Sequence, residues 1–341
     1  MTRTATETII PLDDSVKGKL DPEYVDFYNK YICSNLPIVL THTFPVDFLR
    51  SNGNVMPGQS DLLPVMSTQN IIIPRKHTKA PTGVSVRIFQ PHGDAPEGGW
   101  PCLLWFHGGG WVLGNINTEN SFATHMCEQA KCVVVNVDYR LAPENPFPAC
   151  IEDGWETLLY CYEAANVLGI NPKKIAVGGS SAGGNISAVL SHSITSSSFD
   201  YPPLVLQLLV VPVCDNTASA ESHTSWKLFE NTPQLPAAKM LWYRKHYLPD
   251  EKDWNNPKAS PFFYAESSFR KVCPALICAA GCDVLSTEAV QYHEKLLNAG
   301  VKSNIKVYEG CPHPVMAMDA VLRKGRILNK DATDALLAAF S

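Results

Sequence analysis

Apolar positions along the chain change their period twice. Over residues 15–50, Leu20, Tyr24, Phe27 and Tyr31 recur at helical spacing, which predicts a helical segment there. Residues 51–64 are rich in Gly, Pro and Asn and read as a connector. Short β-rich apolar runs then take over: QNIIIP, VSVRIFQP, CLLWF, CVVVNVDY, KIAVGG, LVLQLLVVPV, ALICAAG and NIKVYEG. The later runs alternate with helix-length segments at 118–130, 149–167, 182–194, 286–299 and 314–340. Continuous apolar strands separated by helices predict an α/β fold with a parallel sheet covered on both faces. The first two runs have no helix between them and predict an antiparallel start. Residues 214–256 break the rhythm, with Trp226, Phe229, Trp242, Tyr243, Tyr247 and Trp254 set among prolines and polar residues. An aromatic insertion of that length after a central strand reads as a lid.

Composition narrows the class. The chain has 341 residues, 45% apolar and 18% charged, with a net charge of −5. That balance gives no basic footprint for nucleic acid. No apolar run is long enough to predict a membrane span. The opening stretch MTRTATETIIPLDDS lacks a charged region followed by an apolar one, so no secretory signal is expected. Eleven cysteines form no C-x-x-C pair and several sit in apolar runs, which fits buried free thiols in a reducing, cytoplasmic compartment. The ten histidines show no metal-ligand pairing, so no metal is expected.

The stretch IAVGGSSAGGN, residues 175–185, carries the candidate chemistry. A strand ends at KIAVGG and a helix begins at SAGGNISAVLSH, so G-x-S-x-G falls on a strand-to-helix turn, the nucleophile elbow. The frame Gly179-Ser180-Ser181-Ala182-Gly183 selects Ser181 over Ser180. A serine hydroxyl needs a base, an orienting acid and an oxyanion site. In this type of fold the order is Ser, then Asp or Glu, then His. Asp283 follows the strand ALICAAG and His313 follows NIKVYEG, both at the carboxyl ends where an open α/β sheet has its crevice. Asp215 also follows a strand, but it opens the insertion, so it is the weaker choice for the acid. His293 lies in the amphipathic segment QYHEKLLNAG and reads as a solvated helix residue.

The oxyanion site is sought in LLWFHGGGWVLG, residues 103–114. Glycines let a backbone approach a ligand closely and turn its N–H groups inward. The expected donors are the N–H groups of Gly109, Gly110 and Ala182, with Gly108 making the turn and His107 bracing the loop rather than transferring protons. HGGGW at 107–111, VDYRLAPENPFPA at 137–149, GSSAGGN at 179–185, NPKASPFF at 256–263, GCDVL at 281–285 and the late His313 together resemble the hormone-sensitive-lipase family of α/β-hydrolase carboxylesterases. The resemblance spans roughly residues 65–325. It implies an eight-stranded, mostly parallel sheet with helices on both faces and a helical cap. The cap would combine N-terminal helices in 1–60 with the insertion 214–256, over a catalytic domain formed by 61–213 and 257–341. It further implies a Ser181–Asp283–His313 triad, and a structural ion pair between Arg140 and Glu144.

Two departures stand out. The family usually carries an acidic residue before the nucleophile, where this chain has Ser180. The residues after the catalytic histidine are Pro314, Val315 and Met316 rather than the usual small or aromatic pattern. The implied activity is hydrolysis of a small-molecule carboxylic ester through an acyl-enzyme, with no metal or organic cofactor. The aromatic insertion suggests apolar short- to medium-chain or acetyl esters, with Trp111, Trp226 and Phe229 as pocket walls. An amide or formamide hydrolase of the same fold, similar to kynurenine formamidases, is the nearest alternative. A ligand-binding receptor on this scaffold, as in plant gibberellin receptors, is a third reading that the presence of His313 disfavours. Homodimerisation through an edge strand or the last helix is compatible with the sequence, but no pattern requires it.

Overall fold

The structure is a computed structural model that describes residues 8–52 and 56–341. Of the expected N-terminal segment 1–60, residues 1–7 and 53–55 lie outside the described residues. Eight strands form one sheet: β1 (Ser67–Ile73), β2 (Val84–Gln90), β3 (Trp100–Phe106), β4 (Val133–Asp138), β5 (Ile170–Ser180), β6 (Leu206–Val210), β7 (Ala275–Ala280) and β8 (Ser303–Tyr308). Their spatial order is β1-β2-β4-β3-β5-β6-β7-β8. β2 runs antiparallel to both β1 and β4, and every other pair is parallel. The antiparallel start read from the sequence is therefore present.

The central strands read as unbroken apolar runs because both their faces are covered. On β3, Cys102, Leu104 and Phe106 join one core, and Leu103 and Trp105 join the other. The first core takes in Ile151 and Leu158 from the helix Ala149–Glu163, and Ile186 and Val189 from the helix Ala182–Thr195. The second takes in Phe122 and Met126 from Asn120–Gln129, and Leu328 and Leu336 from Arg323–Phe340. Each buried aliphatic or aromatic side chain of this kind contributes about 1.5–3 kcal/mol of transfer free energy. The edge strands differ: β1 leaves Ile72 exposed and β8 leaves Val307 exposed, as expected where one flank lacks a partner.

Three expectations need correction. Residues 15–50 are not one helical run but a string of short pieces, among them Asp14–Lys17, Pro22–Phe27, Leu36–Val39 and Val46–Ser51. Pro22, Pro37 and Pro45 sit at or next to the starts of pieces, where a missing N–H is tolerated. Between Tyr28 and Ile32 the helix widens to a π-turn, so Tyr28 and Ile32 turn inward and Tyr31 is left 48% exposed rather than sharing the face of Tyr24 and Phe27. The predicted helix 314–340 is likewise split, into a 3₁₀ turn Val315–Met318 and the helix Arg323–Phe340. Finally, Arg140 does not pair with Glu144. It binds Glu152 and Asp153, each at 2.9 Å, while Glu144 takes Arg50 at 2.8 Å.

The chain order places β4 on one side of β3 and β5 on the other. The carboxyl ends of β3 and β5 therefore open onto the switch point of the sheet, where ligands of open α/β folds bind. The segment 214–256 carries no strand and includes the helices Thr224–Leu228 and Ala237–Tyr247. It reaches the N-terminal helices through Gln234, whose amide donates to Tyr24 Oη at 3.0 Å.

Candidate active site

Ser181 sits between β5 and the helix Ala182–Thr195 with φ 53° and ψ −114°, a left-handed backbone that a non-glycine residue seldom adopts. The neighbours make the turn affordable only if they are small. A Cβ on Gly183 would lie 1.9 Å from the carbonyl oxygen of Phe106, so glycine there is required by contact between backbones. The Ser181 N–H donates to Val210 O at 2.8 Å, which anchors the turn to β6.

His313 lies beyond β8 and Asp283 beyond β7, and the structure brings them together. His313 Nδ1 and Asp283 Oδ2 are 2.7 Å apart. Asp283 is fully buried, and its other oxygen accepts the Leu285 N–H at 3.1 Å. The carboxylate thus fixes which imidazole nitrogen carries the proton, leaving Nε2 as the free basic edge. Ser181 and His313 line one cavity of about 130 Å³. No hydrogen bond joins the Ser181 hydroxyl to the ring in this structure; such bonds are often long before substrate arrives. Asp215 is occupied elsewhere, accepting from the Thr217 N–H at 2.7 Å and its hydroxyl at 2.6 Å. His293 contacts Ser303 Oγ at 2.8 Å, away from this cavity.

The loop after β3 forms a second wall through Gly108, Gly109 and Gly110. Gly109 has φ +118°, and Val112 and Leu113 donate back to its carbonyl, closing a tight turn. The N–H groups of Gly109, Gly110 and Ala182 donate to no acceptor among the described residues. His107 is fully buried, with Nδ1 2.7 Å from Gly108 O and its ring stacked on Tyr139 at 4.3 Å. Burial pushes its imidazole down to about 4, so at neutral pH it is an uncharged brace.

One residue of the site was invisible in the sequence. Glu119 is buried and lines the cavity. Its Oε1 accepts the Gly108 N–H at 2.9 Å and the Ser180 hydroxyl at 2.5 Å, and its Oε2 accepts the Trp105 indole N–H at 2.8 Å. Burial pushes its carboxyl up, against the pull of those hydrogen bonds and of nearby His313. Ser180 therefore does not leave the elbow without a carboxylate; another loop supplies it.

The aromatic residues proposed as pocket walls are not there. Trp111 is buried in a 4.1 Å stack on Tyr247, and Trp226 packs on the Arg244 guanidinium at 5.1 Å. Phe229 is partly buried against the cores, and none of the three lines the cavity. Its walls are instead Ile38, Met56, Leu113, Leu235, Tyr243 and Ala317. Aromatic content marks what will be buried, not which cavity it will border. Among the described residues no cluster of His, Cys, Asp and Glu has the arrangement of a metal site, and no helix is long and apolar enough to cross a membrane.

Comparison with known proteins bears on the fold and the family. A family described by the α/β-hydrolase fold matches residues 103–317. An AB hydrolase superfamily protein of Schizosaccharomyces pombe is 82% identical over 341 residues, covering 100% of both chains. The carboxylesterase NlhH of Mycobacterium tuberculosis is 32% identical over 279 residues, 81% of this chain and 84% of that one. Among solved structures, an α/β-hydrolase enzyme from the metagenome of Lake Arreo superposes with a TM-score of 0.85 at 29% identity, over 95% of this chain and 99% of that one. The thermophilic carboxylesterase EstE1, cloned from a metagenomic library, does so with a TM-score of 0.77 at 28% identity, over 88% and 99%. With its fold, its elbow and these relatives in agreement, the chain belongs to the hormone-sensitive-lipase and carboxylesterase type of the α/β-hydrolase family.

Proposed function

We propose that the protein hydrolyses small carboxylic esters through an acyl-enzyme on Ser181. The observation that carries this reading is the 2.7 Å pair of Asp283 and His313 on the same cavity as a serine in a left-handed turn. His313 takes the Ser181 proton as the hydroxyl attacks the ester carbonyl. The charge that develops on the carbonyl oxygen is met by the N–H groups of Gly109, Gly110 and Ala182, which have no other acceptor among the described residues. His313 then protonates the leaving alcohol, and Asp283 stabilises the imidazolium between the two transfers. Water activated by the same imidazole releases the acid. No step calls for a metal or an organic cofactor.

The small cavity favours short acyl groups. Residues 1–60 and 214–256 act in this reading as a cap: Ile38, Met56 and Gln59 from the first, and Gln234, Leu235, Lys239 and Tyr243 from the second, line the same cavity as Ser181. The eleven cysteines are unpaired and buried, which supports a reducing, cytoplasmic setting. A series of p-nitrophenyl esters tests the function. Turnover falling steeply with chain length, lost in Ser181→Ala, and stoichiometric labelling of Ser181 by an organophosphate are the expected results. Equal activity in Ser181→Ala would overturn the mechanism.

A further inference from the structure

One charged side chain on the cavity wall has no part in the chemistry above. Lys239 lies in the helix Ala237–Tyr247, is only 8% exposed and lines the cavity together with Ser181 and His313. None of the hydrogen bonds or ion pairs among the described residues involves its ammonium. A buried ammonium without an acceptor is costly, and burial alone pushes this one down to about 7. Natural interiors seldom keep such a group unless something completes it.

The helix fixes where that ammonium stands. Tyr243 is one turn further along the same face, four residues on, so the two side chains are neighbours. The Tyr243 ring packs directly on the oxyanion loop: a Cβ on Gly110 would lie 2.2 Å from its Cγ. Lys239 is therefore held about one helical turn from the residue that touches the oxyanion donors. The polar neighbours His42 and Gln234 bring it no negative charge. His42 is held below its ordinary value, first by burial and then by the Lys239 charge. Gln234, on the same wall, uses its amide N–H on Tyr24. Glu119 also lines the cavity, but its oxygens are taken by Gly108, Ser180 and Trp105.

We infer that Lys239 is a specificity-determining residue that receives a carboxylate, or an equivalent anionic oxygen group, on the substrate, so that the preferred esters are anionic in the part remote from the scissile bond. This rests on the ester-hydrolase reading of the same site. A charge-assisted hydrogen bond made in a dry pocket aligns the ester, because the anion docks at one end while the carbonyl meets the oxyanion N–H groups at the other. The anion can belong to either half of the ester, and the two sources are separable.

The test uses two matched pairs on the full-length protein. For the acyl half, 4-nitrophenyl hydrogen adipate is compared with 4-nitrophenyl hexanoate. For the alcohol half, the acetate of 4-hydroxybutyrate is compared with the acetate of 4-hydroxybutyramide. The readout is the ratio of kcat/KM for the anionic and neutral members, which a general effect on folding does not move. We expect the wild type to favour the anionic member of one pair by about tenfold or more. Lys239→Met, which keeps the length of the side chain, should abolish that ratio, and Lys239→Arg should keep part of it. Free glutarate should compete with neutral ester in the wild type and not in Lys239→Met. A ratio near one in both pairs, or a ratio unaltered by Lys239→Met, overturns the inference while hydrolysis of neutral esters leaves the esterase reading intact. Failure of the wild type to hydrolyse any member, with no organophosphate labelling of Ser181, overturns the esterase reading itself.

Discussion

The Ser180 hydroxyl donates to Glu119 at 2.5 Å, and the same carboxylate oxygen holds the Gly108 N–H at 2.9 Å. One side chain thus ties the nucleophile elbow to the oxyanion turn. In the proposed mechanism the two loops must keep their spacing for Ser181 and the N–H groups of Gly109 and Gly110 to address one carbonyl. Glu119→Gln keeps an acceptor but removes the charge that makes both bonds strong. It is expected to lower kcat about tenfold with KM within about twofold, because the lost alignment is felt mainly in the transition state. Steady-state kinetics on p-nitrophenyl butyrate checks this, and a change confined to KM would contradict it.

The position before the nucleophile offers a sharper experiment. Ser180→Asp restores the acidic residue usual in the family but sets two carboxylates at hydrogen-bond distance, where both cannot ionise freely. The single variant should lose about 1–3 kcal/mol of stability. Adding Glu119→Gln should recover most of that loss. A double-mutant cycle by thermal denaturation measures the coupling, and strict additivity would mean the two residues do not interact.

Asp283→Asn retains the shape beside His313 but offers the wrong hydrogen-bonding partner to Nδ1. By analogy with triads of this type, kcat should fall by about 10⁴ while the fold persists. Ser181→Ala should fall to a residual level set by the oxyanion N–H groups alone. Burst-phase kinetics should show no acyl-enzyme in the second variant.

These outcomes also measure how much was legible in the sequence. The strands are readable because apolar runs and their breaks are local signals, and the places of Ser181, Asp283 and His313 on one cavity or beside it are readable because each follows a strand in a fixed order. Glu119 was not, because its partner Ser180 is 61 positions away and only the fold joins them. The partner of Glu144 was misassigned to Arg140 for the same reason: Arg50 arrives from a distant helix. The inward turn of Ile32 was hidden by a single π-turn, which shifts the buried face by one residue without altering the pattern of apolar letters.

Gly183→Ala tests the elbow as a packing problem. The added methyl would overlap the Phe106 carbonyl, and the backbone must move to admit it. A loss of about 3 kcal/mol is expected, at the upper end for overpacked sites, with activity reduced further because Ala182 shifts with the turn. Thermal melts and residual esterase activity report both effects.

Acid should destabilise the protein through two interior histidines. Burial pushes His107 down to about 4 and His192 down to about 3, both below the unfolded value near 6.5. A folded value below the unfolded one means that the unfolded chain binds protons first as pH falls. Their contribution is therefore present above about pH 6.5 and is lost as pH drops toward the folded values. At pH 5 each should subtract about 2 kcal/mol. Denaturant midpoints between pH 7 and pH 5 check the slope, and His192→Gln should flatten it.

The Asp21 N–H donates to Gly310 O at 2.8 Å, and the Asp21 carboxylate binds Lys324 at 2.5 Å, while Tyr24 on the same helix holds Gln234. The roof of the cavity is thus tied to Gly310, 289 positions further along the chain and three positions before His313. In the proposed reading, loosening the Asp21 contacts would therefore disturb the roof and the seat of the base together, so one clasp governs both the shape of the cavity and the reach of its imidazole.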